Sequence, residues 1–305
     1  MNGEGKMLIS TSATISPEAR EGQGHHRIDV QGLCSGYHGK TVLEDISFVI
    51  EKPAIYVVLG PNGAGKTTLF RTLAGILEPY KGYVEIDGVR TGKGRTGTHL
   101  QYLSHIDGFP DGLRVEEALR FYATVEGVPD RGIERVIQLL GIEELRGKFF
   151  SELSQGQKKR ASIARIFLQE RGIYLLDEPT SNLDPKLARE IRDLVLGLSK
   201  NDLVLYSSHN LFEAKEIGKY VLALKGGRVG YFGLLSDLRP AKYVIGIRAE
   251  KAEGILPASS KQGDYYRQEL AGPEEVPKLV AELVAKGVQV REVKELGNPL
   301  EDLFT

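Results

Sequence analysis

Apolar positions along this chain switch repeatedly between two periods. From Arg27 the segments RIDVQGL and VLEDISFVI read as two short strands around a glycine-rich turn. AIYVVLG follows, apolar at consecutive positions as a strand buried on both faces must be. Behind it Leu69, Phe70, Leu73 and Ile76 recur at helical spacing, so a helix follows that strand. VEEALRFYA and IERVIQLLGI, within 111–150, carry apolar residues at three- and four-residue intervals and predict helices. Ser154 is placed to cap a further helix whose stripe is Ile163, Ile166 and Phe167. IYLLDE, 173–178, repeats the buried-strand pattern and ends in two carboxylates, and DLVLYSS is a strand that runs into His209. Between these two strands Pro185 behind Asp184 opens a helix over 185–199, with Leu187, Ile191, Leu194, Val195 and Leu198 on one face.

After LALKGGRVGYFG, which reads as a hairpin, the texture changes near RPAKY. Residues 242–249 alternate as a strand, 275–286 form a helix on Val276, Leu279, Val280, Leu283 and Val284, and VQVREV alternates again. The expected organisation is a polar leader over 1–26, an α/β domain over 27–239 and a small α+β domain over 240–305. A length of 305 residues suits one large domain with an appendage.

Composition narrows the classes. Forty basic side chains face forty-one acidic ones, which argues against a polyanion-binding surface over the whole protein, and no nucleic-acid partner is expected. One cysteine, Cys34, excludes an intrachain disulfide framework and a cysteine metal cluster and fits a reducing cytoplasm. The longest apolar runs fall far short of the ~20 residues that cross a bilayer, so any membrane work needs a spanning partner.

The chemistry begins at GPNGAGKTT. Gly60, Gly65, Lys66 and Thr67 satisfy G-x4-G-K-[ST] between a strand and a helix, the context a phosphate loop requires. Glycine lets the backbone of Gly60, Pro61, Asn62, Gly63, Ala64 and Gly65 turn its N–H groups toward a polyphosphate, and the helix start at Thr67 and Thr68 adds partial positive charge. Lys66 is expected on the β- and γ-phosphates of ATP or GTP and the Thr67 hydroxyl on Mg²⁺. Asp177, at a buried strand's end, is placed to hold the same metal, with Glu178 polarising the attacking water. In LSQGQ, helix-weakening Gly156 sits where the helix should strengthen, which suggests backbone laid open to a second phosphate contact.

Taken in order, these motifs resemble the nucleotide-binding subunit of an ABC transporter, over about residues 27–239. The resemblance implies a P-loop NTPase core with an antiparallel β subdomain and a helical insertion. It implies that Tyr37 stacks on adenine, and that Ser154, Gln155, Gly156 and Gln157 touch the ATP of an opposed subunit in a head-to-tail dimer, homomeric or with a related ATPase. SNLD, ending at Asp184, matches the loop joining the two sites; Glu178 is the catalytic carboxylate and His209 the switch histidine. The partner is an integral membrane permease, and the location the cytoplasmic face of the cell membrane. One departure stands out: His105 occupies the position where the family usually places a metal-contacting glutamine, as haem-exporter-type ATPases also do. The ending NPLEDLFT resembles the tail of drug-, lipid- or polysaccharide-type exporters and points to export. A soluble ABC ATPase working on ribosomes or DNA is the reading from another class; it calls for two such domains or long coiled coils, neither of which the sequence carries.

Overall fold

The computed structural model of the protein describes residues 26–92, 100–104, 108–169, 172–238, 243–257, 260–296, 300 and 303. His105 lies outside them. The chain divides into two compact units between Phe232 and Gly233.

In the first unit β1 (Ile28–Tyr37) and β2 (Lys40–Ile50) pair antiparallel, followed by the buried strand β3 (Ala54–Leu59) and helix α1 (Lys66–Leu73). Strands β4 (Lys81–Ile86), β5 (Val89–Arg90) and β6 (Leu100–Leu103) come next, then the helical insertion α2 (Val115–Glu126), α3 (Asp130–Leu140) and α4 (Gln155–Ile166). The alternation resumes with β7 (Ile173–Asp177), α5 (Pro185–Leu198), β8 (Leu203–Ser208), α6 (Leu211–Ile217), β9 (Tyr220–Lys225) and β10 (Arg228–Leu234). Two sheets result, one antiparallel in the order β2-β1-β4-β5 and one in the order β10-β9-β3-β8-β7-β6. The five strands from β9 to β6 run parallel.

Helix α1 lies inside one apolar core. That core draws Ile28, Val30 and Leu33 from the antiparallel sheet, Val58, Leu175 and Leu205 from the parallel one, and Leu69, Phe70 and Leu73 from the helix itself. Strands β3, β7 and β8 are buried at every position, which explains their unbroken apolar runs.

The helix after the phosphate loop is shorter than its apolar spacing predicts. It stops at Leu73, because Gly75 takes a left-handed φ of 67° and the amide of Ile76 turns back to the carbonyl of Arg71; Ile76 is 59% exposed. On α5 the buried face is Leu187, Ala188, Ile191, Val195 and Leu198, with Leu194 only half-buried.

The second unit is a four-stranded antiparallel sheet of β11 (Tyr243–Glu250), β12 (Lys261–Gln262), β13 (Tyr265–Leu270) and β14 (Gln289–Glu295), in the order β12-β13-β11-β14, with helix α7 (Val276–Ala285). Ile245, Ile247, Tyr266, Leu283 and Val288 form its core, with Val276 and Leu279 packed against it. The apolar stripe of α7 is narrower than its sequence suggests, since Val284 is 56% exposed. Strands β4, β5, β12 and β13 have no counterpart in the sequence reading.

Leu73 and Ile76 belong to one stripe by sequence but to different environments by structure. Leu73→Ala, at a position with 0% exposure, is expected to cost about 3 kcal/mol. Ile76→Ala is expected to stay within about 0.5 kcal/mol. Urea unfolding of the two variants checks the contrast.

Candidate active site

The carboxyl ends of β3, β7 and β8 open into a cleft of about 420 Å³ lined by Asn62, Gly63, Ala64, Gly65, Lys66, Thr67 and Thr68 from the phosphate loop, with Val42, Glu178, Ser181, Asn182 and His209. Parallel strands buried on both faces put their first polar side chains at these ends, so a ligand site forms there. Gly65 precedes α1 with a φ of 104°, and a Cβ added there would meet Leu43 Cδ2 at 2.5 Å. Both the left-handed backbone and the close approach require glycine.

Lys66 is nearly enclosed and folds back over its own loop. Its ammonium donates to the carbonyls of Gly60 at 2.8 Å and Pro61 at 3.4 Å and lies 3.4 Å from Glu178 Oε1. The other oxygen of Glu178 is 2.8 Å from His209 Nδ1. Lysine, glutamate and histidine thus stand in a row along the cleft.

Glu178 reaches this position from a left-handed backbone, φ 47°, which costs a residue with a side chain roughly 1–2 kcal/mol. Local bonds hold it there. The Glu178 amide donates to Ser207 Oγ at 2.9 Å, while the amide and hydroxyl of Ser181 donate to the Glu178 carbonyl at 3.2 and 3.0 Å.

Asp177 has no exposed surface. Ser207 Oγ donates to its Oδ1 at 2.6 Å, yet its buried Oδ2 has no hydrogen-bond partner. A desolvated, unsatisfied carboxylate oxygen is unfavourable on its own and suits a cation. The hydroxyl of Tyr102 on β6 is pushed up to about 12, first by burial and then by the Asp177 charge. Among the described residues no group of three His, Cys, Asp or Glu side chains could hold a metal. Asp177 and Thr67 are the side chains expected to hold Mg²⁺, and the unsatisfied Asp177 oxygen fits that expectation.

The remaining expected residues sit apart from this cleft. Ser154 caps α4 in a reciprocal box: its Oγ accepts from the Gln157 amide at 3.3 Å, and Gln157 Oε1 accepts from the Ser154 amide at 3.0 Å. Gln155 and Gly156 form the first turn of that helix. Asp184 caps α5 by accepting from the amides of Lys186 and Leu187, both at 3.1 Å. Tyr37 ends β1 outside the cleft lining, its hydroxyl accepting from Arg71 Nη1 at 3.3 Å. Gln101 on β6, the nearest glutamine to His105 in sequence, donates to Glu126 Oε2 at 3.0 Å.

Val42, Ser181 and Asn182 line the cleft without having been singled out as site residues. Ser207 was missed too, although two serines ahead of a histidine at a strand end were a readable signal.

A sequence profile described as ABC transporter matches residues 43–181. Over 292 residues the chain is 27% identical to the ABC transporter ATP-binding protein YxlF of Bacillus subtilis (strain 168), spanning 91% of this chain and 98% of that protein. It is 32% identical over 184 residues to the cytochrome c biogenesis ATP-binding export protein CcmA of Chelativorans sp. (strain BNC1), spanning 60% of this chain and 91% of the relative. A solved structure of an ATP-binding subunit of an ABC transporter superposes with a TM-score of 0.63 at 29% identity, over 70% of this chain and 91% of that one.

Lys66→Ala removes the cation at the centre of the cleft. ATP affinity is expected to fall about tenfold to a hundredfold, the equivalent of ~1.5–3 kcal/mol for charge-assisted hydrogen bonds. Isothermal titration of the variant and its parent measures the change.

Proposed function

Because the chain belongs to the ATP-binding proteins of ABC transporters and is therefore an ATPase, we propose that it powers export through a separate membrane permease, as one of two subunits that close around ATP. The observation that carries this reading is Glu178, held between Lys66 and His209 above the phosphate loop. Lys66 exchanges its contacts with Gly60, Pro61 and Glu178 for phosphate oxygens, which frees Glu178 to orient a water against the terminal phosphate. His209 steadies Glu178 and the phosphate that the water attacks. Thr67 and Asp177 hold Mg²⁺, which when bound neutralises charge on the β- and γ-phosphates.

Ser154, Gln155, Gly156 and Gln157 act across the dimer. The Ser154 hydroxyl accepts one bond as a cap, so its proton stays available for a phosphate oxygen of the opposed site. Helix α4 adds the partial positive charge of its N-terminus. Asp184 anchors the loop that faces the partner, and Tyr37 stacks on the adenine.

Export rather than import is supported by the tail sequence and by a relative whose name is that of an ATP-binding export protein. The CcmA match takes in 60% of this chain, whereas the YxlF match takes in 91%. That contrast counts against the haem-type alternative. We assign the second unit, 233–305, to dimerisation or regulation. Among the described residues no helix is long and apolar enough to cross a membrane. We place the subunit on its permease at the cytoplasmic face because relatives are ATP-binding proteins of transporters.

Glu178→Gln tests the proposal. Losing the carboxylate should slow hydrolysis by about a hundredfold or more while easing repulsion with the γ-phosphate, so the variant accumulates as an ATP-bound dimer. Size-exclusion chromatography in Mg-ATP, run beside a phosphate-release assay, reads both effects. A monomer that hydrolyses at the parental rate overturns the reading.

A further inference from the structure

Three hydroxyls from two separate segments converge on one buried carboxylate, that of Glu213 on α6, which is 7% exposed. Thr180, in the turn that follows Glu178, donates to Glu213 Oε1 at 2.5 Å, and Tyr206 on β8 donates to the same oxygen at 2.7 Å. Ser208, which directly precedes His209, donates to Oε2 at 2.7 Å and accepts from the Asn210 amide at 3.0 Å. Arg192 on α5 lies 3.6 Å from Oε1 and turns its Nε to Glu216 at 2.9 Å. Burial, and after it the Glu213 charge, raises the Tyr206 hydroxyl far above its ordinary value, so it stays a donor.

A buried carboxylate serving three hydroxyls is a costly way to fill space, since apolar side chains of similar shape would pack as well or better. The arrangement makes sense where two segments must keep a fixed relation. A cleft of about 410 Å³ borders Glu178, Thr180, Ser208, His209 and Glu213, so both turns have room to shift if untied.

We infer that Glu213 is a positioning residue for ATP hydrolysis, its carboxylate tying the turn that carries Glu178 to the turn that carries His209. The inference rests on the roles proposed above for those two residues. None of the Glu213 partners belongs to the phosphate loop, so the tie governs the turnover step and leaves nucleotide capture alone. Loosening it lowers kcat without raising KM.

The test uses the full-length chain and single hydroxyl deletions, which leave the carboxylate and the rest of its network in place. Thr180→Val and Ser208→Ala are each expected to lower kcat about tenfold to a hundredfold, the usual penalty of a small misplacement, with KM for ATP and affinity for ADP within about twofold. Glu213→Ala removes both ties and should lose at least as much, while Glu213→Gln, whose amide oxygen still accepts from Thr180 and Tyr206, should recover part of the rate. Glu178→Gln is run in the same assay. If it is inactive while Thr180→Val and Ser208→Ala turn over at the parental kcat, or only their KM rises, the inference is overturned and the role of Glu178 stands. If Glu178→Gln itself hydrolyses ATP normally, the underlying reading falls instead. Should Glu213→Ala fail to fold, the two hydroxyl variants still decide the matter.

Discussion

Strands β3, β7 and β8 are buried along their whole length, and strands without an exposed position offer their side chains to a ligand only where they end. That constraint gathers the chemistry. The phosphate loop leaves the end of β3, Asp177 and Glu178 leave the end of β7, and Ser207, Ser208 and His209 leave the end of β8. Parallel pairing with Asp177 opposite Ser207, and Leu59 opposite Ser208, brings those three ends level. Ser207 then bonds Asp177 through its proton and the Glu178 amide through its lone pair, so one hydroxyl couples the Asp177 side chain to the Glu178 backbone.

Electrostatically, Lys66, Glu178 and His209 satisfy one another across the cleft. The Lys66 ammonium occupies the carbonyls of its own loop and one oxygen of Glu178, while His209 takes the other oxygen. On the proposed function, binding a polyphosphate would exchange the partners of Lys66 and change what Glu178 faces, so ligand capture and activation of the carboxylate would share one cation. The Asp177 oxygen left without a donor is unfavourable on its own and would suit the metal proposed for this site.

What sequence could convey here followed from the range of the interaction concerned. Gly65 and Lys66 were legible because the phosphate loop is one continuous segment whose backbone conformation is set locally. Ser154 was legible as a cap for the same reason. Strands β4 and β5 went unread, since KGYVEI mixes glycine and charge with its apolar residues and is held by pairing to β1, some fifty residues upstream. The end of α1 was misjudged because an apolar period does not reveal a left-handed Gly75. Glu213 was invisible for a stronger reason. Its partners lie at positions 180, 192, 206 and 208, on three elements that meet only in the folded chain, and a lone glutamate in a helix reads as a solvated face.

The loop from Glu178 to Asp184 could be taken for a plain connection between β7 and α5. Its backbone argues otherwise. Glu178 and Asn182 both adopt left-handed φ values, 47° and 61°, and non-glycine residues hold such conformations only where their surroundings over-determine them. Here Ser207 fixes the first residue of the loop, Thr180 is bound to Glu213, Ser181 closes back on Glu178, and Asp184 is locked as the cap of α5. A segment pinned at four points within seven residues shifts as a piece rather than flexing residue by residue. The same piece carries Glu178 at one end and Asp184 at the other, so on the roles proposed for them a displacement imposed at Asp184 would reach Glu178 with little slack to absorb it.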